Sequence, residues 1–276
     1  MRQVFRRMKI GYARDMENRK LKTFYDKVYA KGERKHYTSL MFSGDKVPPA
    51  KDAVLKLISW KNKEVLDAGC GTGEMPFLIA KKGAKRIVGI DYSQSAIQEA
   101  EKNYHLSNLS FLCADLQKVK GTFDVIVSLG TIEHIDDPLA ALRRLKKLLK
   151  PGGSLIVTCP NWTNPRGYIL MALRILFDAN ITLADLHYLT PVEMEAWAKK
   201  LGMTISWKTV EQEWGHGEKM IRDLARRLPN VARDSTLPTD ARRIAAFIKW
   251  LGVHALPFEG ETRHGGAVGV YHMRLR

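Results

Sequence analysis

The chain has 276 residues, 45% hydrophobic, 27% charged and 9% aromatic, a balance that excludes a collagenous, coiled-coil or largely disordered protein. Such a length supports a core without covalent staples, as one enlarged domain or one domain with substantial additions. The net charge is +16, a field that attracts nucleic acid, anionic lipid or an acidic small molecule.

Half of that excess lies ahead of the first clear strand, because the first 36 residues hold 12 Lys and Arg against 4 Asp and Glu. The remainder is spread over helix surfaces, as at Arg143, Arg144, Lys146 and Lys147 and again at Arg222, Arg226 and Arg227. The favoured reading is a solvated face or a local anion site, with guidance of a polyanion or contact with a peripheral membrane surface as the alternative. Cys70, Cys113 and Cys159 are odd in number and widely spaced, so neither a disulfide framework nor a zinc ribbon is readable and a reducing, cytoplasmic setting is expected. The apolar run over 167–177 is interrupted by Arg174 and falls short of the ~20 residues a bilayer span needs. The opening MRQVFRRMKIGYAR has arginines but no apolar run after them, so no secretory signal is read.

From Lys51 onward helix-like and strand-like stretches alternate, the signature of a parallel sheet covered by helices. A helix is expected over 51–60, with Ala53, Val54, Leu57 and Ile58 on one stripe. Strands are expected over 64–68, 86–90, 109–113, 123–128 and 154–158. Between them 75–82 reads as a helix, and Ser93 caps another with Ala96, Ile97 and Ala100 inward. Asp137-Pro138 opens a third, whose Leu139, Leu142, Leu145 and Leu148 face the core before a turn at Lys150-Pro151-Gly152-Gly153. Further on, 167–177 and 191–201 read as helices and 204–211 as a strand. Residues 215–262 resemble an insertion with two amphipathic helices, one with Met220, Ile221, Leu224 and Leu228 inward, the other with Ile244, Phe247, Ile248 and Leu251 inward and Gly252 as its stop. Residues 268–275 close the sheet. The expected organisation is a basic leader or lid over 1–50, a ligand-binding core over 51–160, and acceptor-side helices, insertion and closing strands over 161–276.

Strand one runs into Asp67-Ala68-Gly69-Cys70-Gly71-Thr72-Gly73, whose glycines let the backbone turn sharply and approach a ligand. A nicotinamide fingerprint asks for its third glycine at 74, to seat a pyrophosphate. Glu74 stands there instead, the third glycine comes at 73, and Asp67 precedes the first, which suits a ligand carrying an amino group. VLDAGCGTGEM resembles the first motif of class I S-adenosylmethionine-dependent methyltransferases. VGIDYS, CADL, FDVIVSLGTIEHIDDP and LLKPGGSLIVTCPN resemble the later strand motifs in order, and HYLTPVEMEAWAKKLGM is a weaker extension shared with the ubiquinone-biosynthesis-type, or type 11, branch. The resemblance implies an α/β, Rossmann-like class I methyltransferase fold with a seven-stranded, mostly parallel sheet, helices on both faces and helical additions. It implies S-adenosyl-L-methionine as cofactor, held by Asp67, Gly69, Cys70, Gly71 and Gly73 of the loop. Asp91 is then the ribose ligand, followed by Tyr92, with Ala114, Asp115 and Leu116 around the adenine and Leu129 near the cofactor. Tyr37 in the leader is a candidate lid residue.

Methyl transfer from a sulfonium is an in-line displacement on an already activated donor, so alignment dominates, worth ~7–11 kcal/mol. A hydroxyl acceptor gains a further ~10²- to 10⁴-fold from a base. The candidates are Glu133 and His134 after strand four, and His187 beside Tyr188. Metal-dependent members of the ubiquinone branch resemble this sequence at Glu133 and His134 but carry another acidic ligand where Gly130 stands, so no metal is expected and a quinone-pathway acceptor loses weight. Nucleic acid is disfavoured as acceptor. Leu129-Gly130-Thr131-Ile132 is not the Asn-Pro-Pro-aromatic stretch of adenine amino methylation, Cys159-Pro160 reverses the Pro-Cys of cytosine chemistry, and no RNA-binding module is readable. The sequence therefore reads as a methyltransferase acting on a small-molecule acceptor at oxygen, of glycan, lipid-linked or secondary-metabolite type. An RNA or other nucleic-acid methyltransferase and an inactive cofactor-binding regulatory subunit are the alternatives.

Overall fold

The computed structural model describes residues 47–182, 185–255 and 260–275. The expected leader up to residue 46, Tyr37 included, lies outside them.

Strand segments rich in Val, Ile and Leu, apolar on both faces, form the middle of a sheet that helices cover on each side. These are β1 (Glu64–Ala68), β2 (Arg86–Asp91), β3 (Leu109–Cys113), β4 (Phe123–Leu129) and β5 (Leu149–Pro160), all parallel to one another. β6 (Met203–Val210) and β7 (Val268–Leu275) complete the sheet, β7 running antiparallel between β5 and β6. The strand order is β3-β2-β1-β4-β5-β7-β6. The chain thus steps outward from β1 to β3 and returns to place β4 on the other side of β1. That reversal opens a crevice beyond the carboxyl ends of β1 and β4, the place where open α/β sheets bind ligands.

The pleat sends alternate residues of each strand to opposite faces. Leu66, Ile126, Leu155 and Met273 pack under α4 (Pro138–Lys147) and α6 (Pro191–Lys200), which contribute Leu142, Leu145, Met194 and Ala198. Val65, Ile87, Val125, Val127 and Ile156 pack under α1 (Pro49–Leu55) and α2 (Glu74–Lys81), through Val54, Met75 and Ile79. α3 (Gln94–Asn103) buries Ala96, Ile97 and Ala100 as expected, and Ser93 Oγ accepts from Ala96 N at 3.3 Å as its cap. A third apolar cluster stands apart from the sheet. It joins α5 (Pro165–Phe177) to α8 (Glu218–Asp234), which follows the short α7 (Gln212–Gly215), through Trp162, Leu170, Met220, Leu224 and Leu228. Partly buried Ile244 and Ile248 of α9 (Ala241–Trp250) pack on it. Among the described residues no helix is long and apolar enough to cross a membrane.

The boundaries differ from the sequence expectation in four places. The first helix ends at Leu55 rather than Trp60, because Trp60 Nε1 donates to Leu55 O at 2.9 Å and turns the chain toward β1. β5 begins at Leu149 rather than Ser154, since Leu149 already pairs with Phe123, and the glycine turn becomes a bend within the strand. Phe247 is 37% exposed rather than inward, as α9 meets the third cluster only along the Ile244 and Ile248 edge. Gly252 does not stop that helix; a π-helical turn runs through it over Leu251–Ala255.

Candidate active site

The glycine loop joins β1 to α2. Gly69 has φ +85°, a conformation costly for other residues, and a Cβ there would fall 2.4 Å from Thr131 Oγ1. Its amide and that of Cys70 both donate to Ile90 O at 2.9 Å, which pulls the loop down over the end of β2. The loop, the tips of β1 to β4 and the segment after β5 enclose one cleft of about 1830 Å³. That exceeds the ~300–1,000 Å³ of a single small-ligand pocket, room for more than one small ligand.

Asp67, Gly69, Cys70 and Gly71 line one half of the cleft, with Asp91 and Tyr92 from the end of β2. Ala114, Asp115 and Leu116 come from the end of β3, and Leu129 from β4. Asp91 is anchored twice: Oδ2 accepts from Gly71 N and Oδ1 from Ser93 N, both at 2.9 Å. Asp115 Oδ1 accepts from Gln117 N at 2.7 Å. Asp67 is only 1% exposed, and its Oδ1 has no hydrogen-bond partner among the described residues. Burial pushes its carboxyl up to about 8; the Lys51 ammonium pulls it back and the Asp91 charge adds to the rise. Burial likewise raises the Cys70 thiol, leaving it an uncharged wall group. Gly73 does not line the cleft and instead caps α2. Lys51, unforeseen from sequence, enters the wall paired with Glu74 of α2.

The other half begins at the 3₁₀ turn Ile132–His134. Glu133 is 2% exposed; burial raises its carboxyl to about 8, a backbone hydrogen bond opposes this, and the Asp185 charge adds to it. Its Oε2 has no hydrogen-bond partner among the described residues. His134 Nδ1 lies 3.5 Å from Asp185 Oδ1, and its Nε2 lies 3.9 Å from Glu133 Oε1. His187 is not part of the cleft wall. Its Nε2–H donates to Ile135 O at 2.9 Å and its amide to Glu133 O at 3.1 Å, so it clamps the turn that carries Glu133 and His134. Asp185 and Arg166 also face the cleft; no sequence motif pointed to either, since Asp185 lies between elements and Arg166 stands just ahead of the expected start of its helix at 167.

Residues 59–220, more than half of the chain, match the family model described as methyltransferase domain. The chain belongs to this methyltransferase family. Its matched domain is of the S-adenosylmethionine-dependent methyltransferase kind. It is similar to the ubiquinone biosynthesis O-methyltransferase of Coxiella burnetii, 30% identical over 157 residues that make up 54% of this chain and 66% of that protein. The match thus spans just under two thirds of the relative's length. Two solved structures share the fold. The magnesium protoporphyrin IX methyltransferase of Synechocystis PCC 6803 with bound SAH aligns over 92% of this chain and all of that one, at TM-score 0.57 and 15% identity. A chain from the complex of the Haloferax volcanii Trm112 methyltransferase activator with a methyltransferase aligns over 91% and 96%, at TM-score 0.58 and 17% identity. The residues of this methyltransferase fit the cofactor, since the orphaned Asp67 oxygen and the twice-anchored Asp91 suit a ligand bearing an amino group and hydroxyls.

Proposed function

We propose that the methyl group goes to an oxygen atom of a small-molecule acceptor, with His134 as the base. The observation that carries this reading is the single cleft joining Asp67 and Asp91 at the strand tips to the His134 and Asp185 pair beyond β4. S-adenosylmethionine supplies a methyl group already activated by the sulfonium charge, so the chain's task is to bind, align and move a proton. Asp91, held in place by the Gly71 and Ser93 amides, keeps lone pairs for the ribose hydroxyls. Asp67 meets the amino group, which satisfies its unpartnered oxygen. Ala114, Asp115 and Leu116 border the adenine, while Cys70, Tyr92 and Leu129 wall the same half.

His134 takes up the acceptor's proton at Nε2. Its Nδ1 faces the Asp185 carboxylate, which orients the ring and stabilises the cation once formed. Glu133 keeps its own proton near neutral pH and acts as an uncharged positioning group beside Nε2. Helices α5 and α8, from the 161–276 part of the chain, supply the acceptor side. The O-methyltransferase name of the Coxiella burnetii relative supports the choice of oxygen.

The test is incubation with methyl-labelled donor and panels of phenols, hydroxy acids, glycans and transfer RNA. Label is expected in a hydroxylated small molecule; label in RNA, or donor binding with no transfer to any acceptor, overturns the reading. His134→Gln is expected to lower kcat by about 10²- to 10⁴-fold with donor affinity unchanged. Asp91→Ala is expected to weaken SAH binding by about 10- to 100-fold, as charge-assisted hydrogen bonds are lost.

A further inference from the structure

The wall opposite the glycine loop holds an arrangement that cofactor binding does not use. Asp223 of α8 is buried and surrounded by three guanidinium groups. Arg166 Nε lies 2.7 Å from its Oδ2, Arg227 Nε 3.2 Å from the same oxygen, and Arg226 Nη2 3.6 Å from Oδ1. Arg226 and Arg227 reach it from one turn along the same helix, at i+3 and i+4. One carboxylate therefore faces three permanent cations. Nearby acids redress this only in part: Asp185 shares its charge between His134 and the Arg166 and Arg227 guanidiniums, Asp234 is paired with Arg233 at 3.0 Å, and Glu133 holds its proton.

The donor inventory separates these arginines. Arg227 is spent, with Nε and Nη2 on Asp223 and Nη1 donating to Ile181 O at 2.7 Å. Arg166 is not. Its Nε is on Asp223, but neither Nη group has a hydrogen-bond partner among the described residues, although the side chain is only 14% exposed. Those Nη groups carry four N–H donors on a residue of the cleft wall, available to an anionic ligand. A second donor points the same way: Trp162 is 4% exposed, lines the cleft, and its indole Nε1–H is buried without a partner among the described residues.

We propose that Arg166, with Arg226 at the rim and the Trp162 indole N–H, forms an oxyanion subsite, and that the acceptor carries a carboxylate or phosphate group seated there. This rests on reading the cleft as the methyl-transfer site. The guanidinium plane presents paired N–H groups that match two oxygens of either anion. Asp223 and Arg227 are positioning residues that fix that plane.

The experiment uses the full chain saturated with SAH, so that occupancy of the donor half is measured separately by calorimetry. Inorganic phosphate and benzoate are titrated as separate probes while the Trp162 indole N–H resonance is followed, assigned through Trp162→Phe. Either probe is expected to shift that resonance, and the one that does so at the lower concentration tells a phosphate from a carboxylate acceptor. Arg166→Gln is expected to weaken oxyanion binding by about 10- to 100-fold, with SAH affinity unchanged within about twofold. An indole resonance indifferent to both probes in the wild type, or equal oxyanion affinity in Arg166→Gln, overturns the subsite. Should Arg166→Gln fail to fold, the wild-type titration decides alone. Failure to bind SAH would instead sink the reading of the cleft itself, so the two failures are distinguishable.

Discussion

Asp67 at the end of β1 and Glu133 in the 3₁₀ turn after β4 are carboxyls almost completely buried in the cleft wall, each raised to about 8 by that burial. The folded protein therefore holds protons that the unfolded chain releases between about pH 4 and pH 8, and linkage makes stability fall as pH rises through that window. The ligand-free protein is expected to show a Tm that declines from pH 5 to pH 8, at up to about 1.4 kcal/mol per pH unit for each group. Glu133→Gln should flatten the decline. A Tm that climbs over the same range in the wild type would contradict the burial of both acids. Asp67 and Asp91 were legible because each sits in a local motif whose chemistry needs an acid there. Asp185 and Arg166 were not, because what makes each meaningful is a partner far along the chain, His134 in one case and Asp223 in the other.

At the scale of elements, periodicity and capping chemistry placed most helices and strands within a residue or two. Ser93 shows why. Its hydroxyl accepts from Ala96 N at the start of α3, a signal written within four consecutive residues. The misread ends lie where a distant group intervenes, as the Trp60 indole does at Leu55. Gly73 tests an element boundary directly. It starts α2 at φ +84°, and an added Cβ would come 2.7 Å from both Ala100 Cβ and the Phe111 ring. Gly73→Val is expected to cost about 2–4 kcal/mol, combining left-handed strain with overpacking. Denaturant titration checks this; a loss below about 1 kcal/mol would mean that α3 and β3 yield more easily than close packing allows.

For the whole molecule, the decisive feature is the reversal of strand order between β1 and β4, which gathers the carboxyl tips of four strands around one opening. A ligand bridging those tips binds the folded state alone. Saturation with SAH at about 100 times its Kd should add about 2.7 kcal/mol, a rise in Tm of roughly 5–10 °C for a protein of this size. No rise under those conditions would place the cofactor elsewhere. The third cluster of α5, α8 and α9 packs apart from the sheet, so its stability rests on contacts between helices rather than on strand pairing.

The division between the two halves of the cleft follows from the range of their interactions. The half at the glycine loop is encoded locally, since a strand, its glycine turn and an acid at the next strand tip assemble from neighbouring residues wherever a parallel sheet forms. The opposite half exists only after α5 and α8 pack together. Arg166 and Asp223 are 57 residues apart, and no spacing rule brings such residues to one wall. Their meeting depends on apolar side chains such as Leu170 and Leu224 first burying one another, and that packing is a property of the assembled fold.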